Sequence, residues 1–308
     1  MRLSRLAAAL TGLLILAMPP TVRAAAEHAA FPAKGDLSSA TKRVLKFRGA
    51  SRTYLVRPVA GPGPWPLVVM LHGATISAER TWTQTSLPTL GAKEKFIVVA
   101  PQGVDNRWDE SFGSGPDNDV EFLRAVMRDV EAKDHADPKA VFLIGMSNGG
   151  FMTIHFVCAG GGGELRAAGV VSATLGEDEI ADCVPRKPLP WIEMHGDADQ
   201  IVPFTAGEGL LSAEQTFAYF ADKAGCTAAI KRDKLPDVVA NDGSTAEKRV
   251  RSGCAGGKQT STFYVLHGAG HSWPNSRSGP PGERGAVNQD IDGGTVAWEH
   301  FRATLTPR

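Results

Sequence analysis

Hydrophobic and polar residues follow two patterns along this chain of 308 residues. Residues 43–47 and 52–56 are apolar at alternate positions on either side of Gly49-Ala50-Ser51, which predicts an antiparallel hairpin at a sheet edge. Later runs are apolar almost throughout, as in strands buried on both faces of a sheet. These runs are 67–71, 96–100, 141–146, 167–172, 189–194 and 262–266.

Segments with helical periodicity separate these strands. Helices are predicted around 81–93, over an apolar stripe from Val120 to Val130, over 213–223, and over 291–305 at the end of the domain. Asp119 lies where it could cap the helix that contains the stripe. Residues 102–118 are predicted to form a long irregular loop. The alternation of strand and helix predicts a single α/β domain on a mostly parallel sheet.

The third strand of this parallel set ends in Gly145-Met146-Ser147-Asn148-Gly149, and an apolar helix follows at once. Glycines beside the serine permit a turn so sharp that larger side chains would collide with the strand or the helix. Ser147 is therefore predicted to be a nucleophile, and the Asn148 amide to be an oxyanion donor. The alternative is an ordinary strand-to-helix turn with a solvent-facing serine.

A serine nucleophile needs a base and an acid, which follow it in this chain order on loops after later strands. Asp199 is predicted to be the acid in preference to Asp197, because it lies further along its turn and precedes an apolar stretch. His271 is predicted to be the base because it lies in a glycine-flanked loop after the last strand. It is preferred to three other histidines near strand ends, namely His72, His195 and His267.

The second oxyanion donor is expected in the loop after strand 67–71, where the backbone amides of Ala74 and Thr75 are the candidates, Ala74 being preferred. Three aromatic residues, Trp108, Phe112 and Trp273, are candidates for an acyl or alcohol pocket. The alternative is that these residues belong to the hydrophobic core.

Composition excludes several other functions. Acidic and basic residues balance at 33 each, so nothing indicates a nucleic acid or polyanionic partner. Neither zinc-ligand spacing nor a phosphate-binding glycine loop is present, so no metal or cofactor is expected. The first residues resemble a signal peptide, with Arg2 and Arg5 before an apolar stretch over 6–18 and small residues near 22–26. We expect a signal peptide over 1–26, a single domain over 27–308, and a secreted or periplasmic protein without a membrane anchor.

Export affects the interpretation of the four cysteines, because disulfides persist in oxidising compartments. The pairing that keeps both loops local is Cys158 with Cys183 and Cys226 with Cys254. Four cysteines permit three pairings, and free buried thiols are the alternative.

Several motifs together resemble the secreted polyhydroxybutyrate depolymerase-like esterases, which border on the feruloyl and acetylxylan esterases of carbohydrate esterase family 1. They are Leu71-His72-Gly73, the segment from Asp119 to Gly150, His195-Gly196-x-x-Asp199, and Gly270-His271-Ser272-Trp273-Pro274. The likeness covers roughly residues 43–304. It implies an α/β-hydrolase fold, the triad Ser147, Asp199 and His271, a Cys226–Cys254 disulfide and carboxylic ester substrates. The chain departs from many relatives in lacking a cysteine at Ala74 and near Trp108.

The sequence therefore predicts an exported serine esterase that acts on a small-molecule or polymeric ester, with its oligomeric state open. A peptidase or acyltransferase on the same scaffold is one alternative. The others are an inactive scaffold that only binds a ligand, and a purely structural secreted protein.

Overall fold

The computed structural model describes residues 31–110, 118–257, 259–276 and 285–305. Ten strands form one sheet in the order β1-β2-β4-β3-β5-β6-β7-β10-β9-β8. The six strands from β4 to β10 in this order run parallel, and antiparallel strands flank them on both sides. The strands are β1 Thr41–Phe47, β2 Ala50–Arg57, β3 Trp65–Leu71, β4 Ile97–Pro101, β5 Ala136–Met146, β6 Ala167–Val171, β7 Trp191–Gly196, β8 Lys231–Lys234, β9 Thr245–Arg251 and β10 Ser261–His267.

Helices cover both faces of this sheet. On β3, Leu67 and Val69 pack into one hydrophobic core, whereas Val68 and Met70 pack into another, as expected when alternate residues point to opposite faces. The first core includes α3, α4 and α5, and the second includes α1, α2 and α6. The helices are α1 Ala78–Gln84, α2 Leu87–Glu94, α3 Asn118–Asp134, α4 Asn148–Cys158, α5 Ala213–Lys223 and α6 Gly293–Ala303. The predicted fold class, a mostly parallel sheet with helices on both faces, is confirmed.

Three local expectations differ from the structure. The single helix predicted over 81–93 is two helices, α1 and α2, because the backbone of Thr85 is extended (φ −111°, ψ 155°) and ends the first. Pro88 lies in the first turn of the second helix, where its missing N–H is tolerated. Asp119 lies inside the first turn of α3 and accepts hydrogen bonds from Arg52 and from the Asp109 amide instead of capping the helix. The sheet also continues beyond β10 into β9 and β8, whose charged sequences gave no apolar pattern.

Both predicted disulfides are present. Cys158, at the end of α4, is bonded to Cys183, and Cys226, just after α5, is bonded to Cys254. The two bonds close short loops with sequence separations of 25 and 28 residues. Such bonds are typical of oxidising compartments. Within the described ranges, no helix has the length and apolar character needed to cross a membrane.

His300 on α6 makes the stability of the fold depend on pH. Its Nε2 has no hydrogen-bond partner within the described ranges, and burial lowers the pKa of its imidazole to about 3. An exposed histidine in the unfolded chain has a pKa of about 6.5, so the unfolded state binds more protons between these two values.

We therefore expect His300 to lower the free energy of unfolding as the pH is lowered from about 6.5 towards 3. His300 contributes up to about 1.4 kcal/mol per pH unit to this slope. Urea unfolding of the wild type and of a His300→Phe variant, measured across this range, checks the expectation. The variant should have the smaller slope, and an equal slope would contradict the assignment to His300.

Candidate active site

Ser147 occupies a strained turn between β5 and α4. Its backbone angles are φ 55° and ψ −127°, a combination that residues with a side chain rarely adopt. The Ser147 amide donates to the carbonyl of Val171 at the end of the neighbouring strand, over 2.9 Å. Its carbonyl accepts from the amides of Gly150 and Phe151 in the first turn of α4. These bonds hold the residue rigidly at the carboxyl edge of the sheet.

The flanking glycines are required by close backbone approach, as the sequence predicted. A Cβ atom on Gly149 would lie 2.5 Å from the carbonyl oxygen of His72, which is part of a fixed backbone. A Cβ atom on Gly145 would overlap the carbonyl group of Gly149. A side chain at either position would therefore displace the turn that carries Ser147.

Asp199 and His271 meet on the same edge of the sheet, from loops after β7 and β10. His271 Nδ1 lies 2.8 Å from Asp199 Oδ2, and the side chains are 4% and 0% exposed. The other carboxylate oxygen accepts from the amides of Ile201 and Val202, each over 2.9 Å. Burial alone would raise the pKa of Asp199. The hydrogen bonds and charge of its partners outweigh burial and hold the pKa below its ordinary value, so the carboxyl group is ionised.

Asp197 is engaged elsewhere. Its carboxylate lies 2.8 Å from Nδ1 of His267 and accepts from the Gly268 amide over 2.7 Å, on a partly exposed surface. The two aspartates of this loop therefore contact different histidines, Asp199 the buried His271 and Asp197 the partly exposed His267.

His195 and His72 anchor the loops of the site. His195 Nε2 lies 2.9 Å from the carbonyl oxygen of Val202, and this bond ties the end of β7 to the loop that carries Asp199. His72 Nδ1 lies 2.8 Å from the carbonyl oxygen of Gly73, and Nε2 accepts from the Gly103 amide over 2.9 Å. Because the Gly73 carbonyl can only accept a hydrogen bond, Nδ1 must carry a proton, and because the Gly103 amide can only donate, Nε2 must be unprotonated. His72 is therefore the neutral Nδ1–H tautomer. Burial lowers the pKa of both imidazoles, as expected of structural histidines.

Hydrogen bonding distinguishes the two candidate amides after β3. The Thr75 amide donates to the carbonyl of Asn106 over 2.9 Å, so it is not available to a ligand. Within the described ranges the Ala74 amide makes no such bond. Asn148 is the first residue of α4, where the amides of a helix have no partner inside the helix. These features favour Ala74 and Asn148 as the pair of donors.

The side chain of Asn148 has a function that sequence reasoning missed. It is 5% exposed, and its amide group binds the backbone of Trp108 at two points: Oδ1 accepts from the Trp108 amide over 2.8 Å, and Nδ2 donates to the Trp108 carbonyl over 3.2 Å. Nδ2 also donates to Oε2 of Glu110 over 2.5 Å, and the Trp108 indole donates to the His72 carbonyl over 2.9 Å. The residue beside Ser147 thus holds the 103–110 loop, which in turn contacts both sides of the oxyanion site. Only a tertiary contact shows this, because the partners are 38 and 40 residues away in sequence.

The hydrogen bonds from the Asn148 side chain to Trp108 and Glu110, here called the Asn148 clamp, can be removed by mutation. We expect Asn148→Ala to lower kcat/KM for a small ester by about 10- to 100-fold, because a displaced 103–110 loop misplaces the donors around the reacting carbonyl. Steady-state kinetics and thermal unfolding of the same preparation provide the measurement. If the variant is only less stable and its kcat/KM is unchanged, the clamp has no part in positioning.

The candidate pocket residues lie in different places. Trp108 is 3% exposed and packs against His72, with 4.8 Å between ring centroids. Trp273 is 4% exposed and belongs to the core on the α1, α2 and α6 face. Phe112 lies outside the described residues. The burial of both tryptophans fits the alternative that they are core residues.

Comparisons with known proteins agree with this architecture. No family model matches the sequence. The chain is 24% identical over 304 residues to feruloyl esterase D of Neurospora crassa, covering 94% of each protein. It is 27% identical over 213 residues to feruloyl esterase C of Emericella nidulans, covering 69% of this chain and 66% of that relative. Among solved structures, an acetyl xylan esterase from Aspergillus awamori superimposes with a TM-score of 0.59 at 14% identity, over 85% of this chain and 99% of that one.

The structural likeness confirms the α/β-hydrolase fold. The sequence likeness confirms the predicted resemblance to feruloyl esterases, which are carboxylic ester hydrolases. Within the part of the chain that the structure describes, no group of three or more His, Cys, Asp and Glu side chains could hold a metal ion.

Proposed function

We propose that this protein is an exported serine esterase with Ser147 as nucleophile, His271 as base and Asp199 as the acid that orients the base. The observation that carries the proposal is the buried Asp199–His271 contact of 2.8 Å, on the same sheet edge as the strained turn of Ser147. An ionised carboxylate beside Nδ1 keeps the proton there and leaves the Nε2 lone pair available to accept a proton.

The reaction then proceeds in two halves. Ser147 Oγ bonds to the ester carbonyl carbon while its proton passes to His271 Nε2, and the carbonyl oxygen becomes an oxyanion held by the amides of Ala74 and Asn148. The carbon–oxygen bond to the alcohol breaks, and His271 returns the proton to that leaving group. A water molecule, deprotonated by His271, attacks the acyl-enzyme, and the acid leaves as Ser147 regains its proton.

The substrate class follows from the resemblances. The relatives are named feruloyl and acetyl xylan esterases, which favours feruloyl or acetyl esters of plant polysaccharide. Hydroxybutyrate oligomers are the other substrate class expected from the sequence. The chemistry requires no metal or organic cofactor. Residues 1–26, which lie outside the described residues, are proposed as the export signal, and residues 27–308 as the single catalytic domain.

A fluorophosphonate probe followed by peptide mapping tests the proposal. We expect covalent labelling of Ser147, and folded protein without labelling at Ser147 would overturn the assignment in favour of a binding scaffold. Turnover of p-nitrophenyl acetate, methyl ferulate, a hydroxybutyrate oligomer and a peptide then identifies the acyl chemistry. Cleavage of the peptide alone would favour a peptidase over an esterase.

A further inference from the structure

His195 is a buried histidine that lies beside the candidate acid without being part of the proposed triad. It is near the end of β7, four positions before Asp199, and neither side chain is exposed. β7 is paired with β6 on one side and with β10 on the other, where His195 is opposite Val265. The imidazole is therefore carried by a strand with hydrogen-bonded neighbours on both sides, which resists local opening.

Hydrogen bonds connect His195 to Asp199 through Val202. His195 Nε2 lies 2.9 Å from the carbonyl oxygen of Val202, and the amide of Val202 donates to Asp199 Oδ1 over 2.9 Å. Because the carbonyl can only accept a hydrogen bond, Nε2 carries the proton. Val202 is thus held at its carbonyl by the strand and at its amide by the carboxylate. The orientation of the carboxylate therefore depends on the histidine.

His195 also acts on Asp199 through space. Its Nε2 lies 3.6 Å from Asp199 Oδ2, the oxygen that is 2.8 Å from Nδ1 of His271. A separation of 3.6 Å is too long for a hydrogen bond, but the partial positive charge of the N–H group acts strongly where neither side chain meets water. Two imidazoles therefore adjoin one carboxylate oxygen, and that of His271 is the one in hydrogen-bond contact.

The surroundings of His195 keep its imidazole neutral. Burial lowers the pKa of His195 and outweighs the Val202 carbonyl and the Asp199 charge, which raise it, while a protonated His271 lowers it further. Glu193 lies two positions earlier on the same face of β7, and complete burial raises the pKa of its carboxyl group, which is neutral. Among the described residues, Asp199 and His271 are thus the charged groups that act on His195.

Packing alone does not account for an imidazole at this position. Nδ1 makes no hydrogen bond to any residue that the structure describes, and a polar atom that is buried and unpaired lowers the stability of a fold. The ring of Phe204 meets the imidazole edge-on, with 5.8 Å between ring centroids, and a phenyl ring could make the same contact. The function of the imidazole therefore lies in its Nε2–H group.

We propose that His195 is a positioning residue of the esterase, which fixes the Asp199 carboxylate through Val202 and moderates the hold of that carboxylate on protonated His271. This inference rests on the proposed triad. His195 contacts neither the substrate nor the reacting atoms, and its effect reaches the reaction through Asp199. A carboxylate whose charge is partly balanced by the Nε2–H group leaves His271 free to pass its proton to the leaving alcohol.

Three substitutions at this position test the role. His195→Gln keeps an N–H donor at about the distance of Nε2 from the backbone, within reach of the Val202 carbonyl. His195→Phe keeps a ring and removes the donor. His195→Met, which is narrower and more flexible, is measured in its place if the phenyl ring prevents folding. His300→Phe is the matched control, because it makes the same substitution at another buried histidine, on α6 and outside the triad loops.

With an activated ester, we expect His195→Phe to lower kcat by about 10- to 100-fold and to keep KM within about twofold, because the acid is misplaced and substrate contacts are not. We expect the acid limb of the pH profile of kcat/KM to move to higher pH by about 0.3–1 unit, because Asp199 without the N–H group stabilises protonated His271 more strongly. His195→Gln should bring both values close to those of the wild type, and His300→Phe should change neither.

A loss of activity in His195→Phe without a shift of the acid limb would show that the residue is only structural. A His195→Gln protein as impaired as His195→Phe would show the same, because the donor would then have no part in the effect. An unchanged kcat in His195→Phe would also overturn the proposal.

Proton NMR separates these results from a failure of the esterase proposal. The proton between Asp199 and His271 lies in a charge-assisted hydrogen bond and gives a downfield signal, assigned by its loss in His271→Gln. A signal that shifts or broadens in His195→Phe and returns in His195→Gln supports the positioning role even if a fluorophosphonate does not label Ser147. A signal at the same position in all three proteins refutes the role, whatever their turnover.

Discussion

Replacing Ser147 by alanine is expected to lower kcat for an activated ester by between about 10⁴- and 10⁶-fold, the range for loss of a serine nucleophile. The reason is that no other group at this turn can form the acyl-enzyme. Alanine preserves the backbone bonds of the turn to Val171, Gly150 and Phe151, so we expect a folded protein. Burst kinetics with p-nitrophenyl acetate and fluorophosphonate labelling measure the effect, with thermal unfolding as the check on folding.

Ser172 provides a matched control for this experiment. It follows β6 as Ser147 follows β5, has a similar positive φ of 50°, and is buried. We expect the Ser172→Ala protein to keep fluorophosphonate labelling and turnover within about threefold of the wild type. The substitution changes packing beside the site but leaves the Ser147 hydroxyl in place. Equal losses in the two variants would show that strain at the sheet edge, rather than the Ser147 hydroxyl, accounts for the result.

Asp199→Asn is expected to lower kcat by about 10³- to 10⁴-fold, as when a triad acid loses its charge. The Asp199 carboxylate faces donors on both sides, with His271 Nδ1 at one oxygen and the amides of Ile201 and Val202 at the other. An asparagine that keeps its oxygen on the two amides presents its NH₂ group to Nδ1. His271 would then carry its proton on Nε2 and could not accept one from Ser147.

Asp197→Asn is the control for the choice of acid, because Asp197 lies two residues away in the same loop and contacts the partly exposed His267. We expect it to change kcat by no more than about twofold. The pH dependence of kcat/KM, measured for both variants, is the readout. A large loss at Asp197 with a small one at Asp199 would show that the acid is Asp197.

The predictable parts of this protein are those that depend on local chemistry. The Gly145-x-Ser147-x-Gly149 turn could be identified because only glycine tolerates the close approach of the His72 carbonyl. The buried strands could be identified because a sheet covered on both faces needs apolar residues at nearly every position. β8, at the edge of the sheet, and β9 beside it could not, because their sequences are rich in charged residues and lack that pattern.

The choice of acid between Asp199 and Asp197 also separates what local sequence predicts from what it does not. The sequence indicated two carboxylates in one loop and favoured the one before the apolar Ile201-Val202, and the structure places that one beside His271. The sequence could not show that the Asn148 side chain holds the backbone of Trp108, because the two residues are 40 positions apart in the chain.

By itself, then, the sequence determined the fold class, the strained turn at Ser147 and the order of the candidate acid and base, since each follows from residue type and spacing along one segment. The tertiary structure alone decided which polar groups meet. It paired Asp199 with His271 and Asp197 with His267. It also bonded the Thr75 amide to the Asn106 carbonyl, whereas the Ala74 amide makes no such bond to any residue that the structure describes. Hydrogen bonds and charges act over a few ångströms in space, and only folding brings such groups that close.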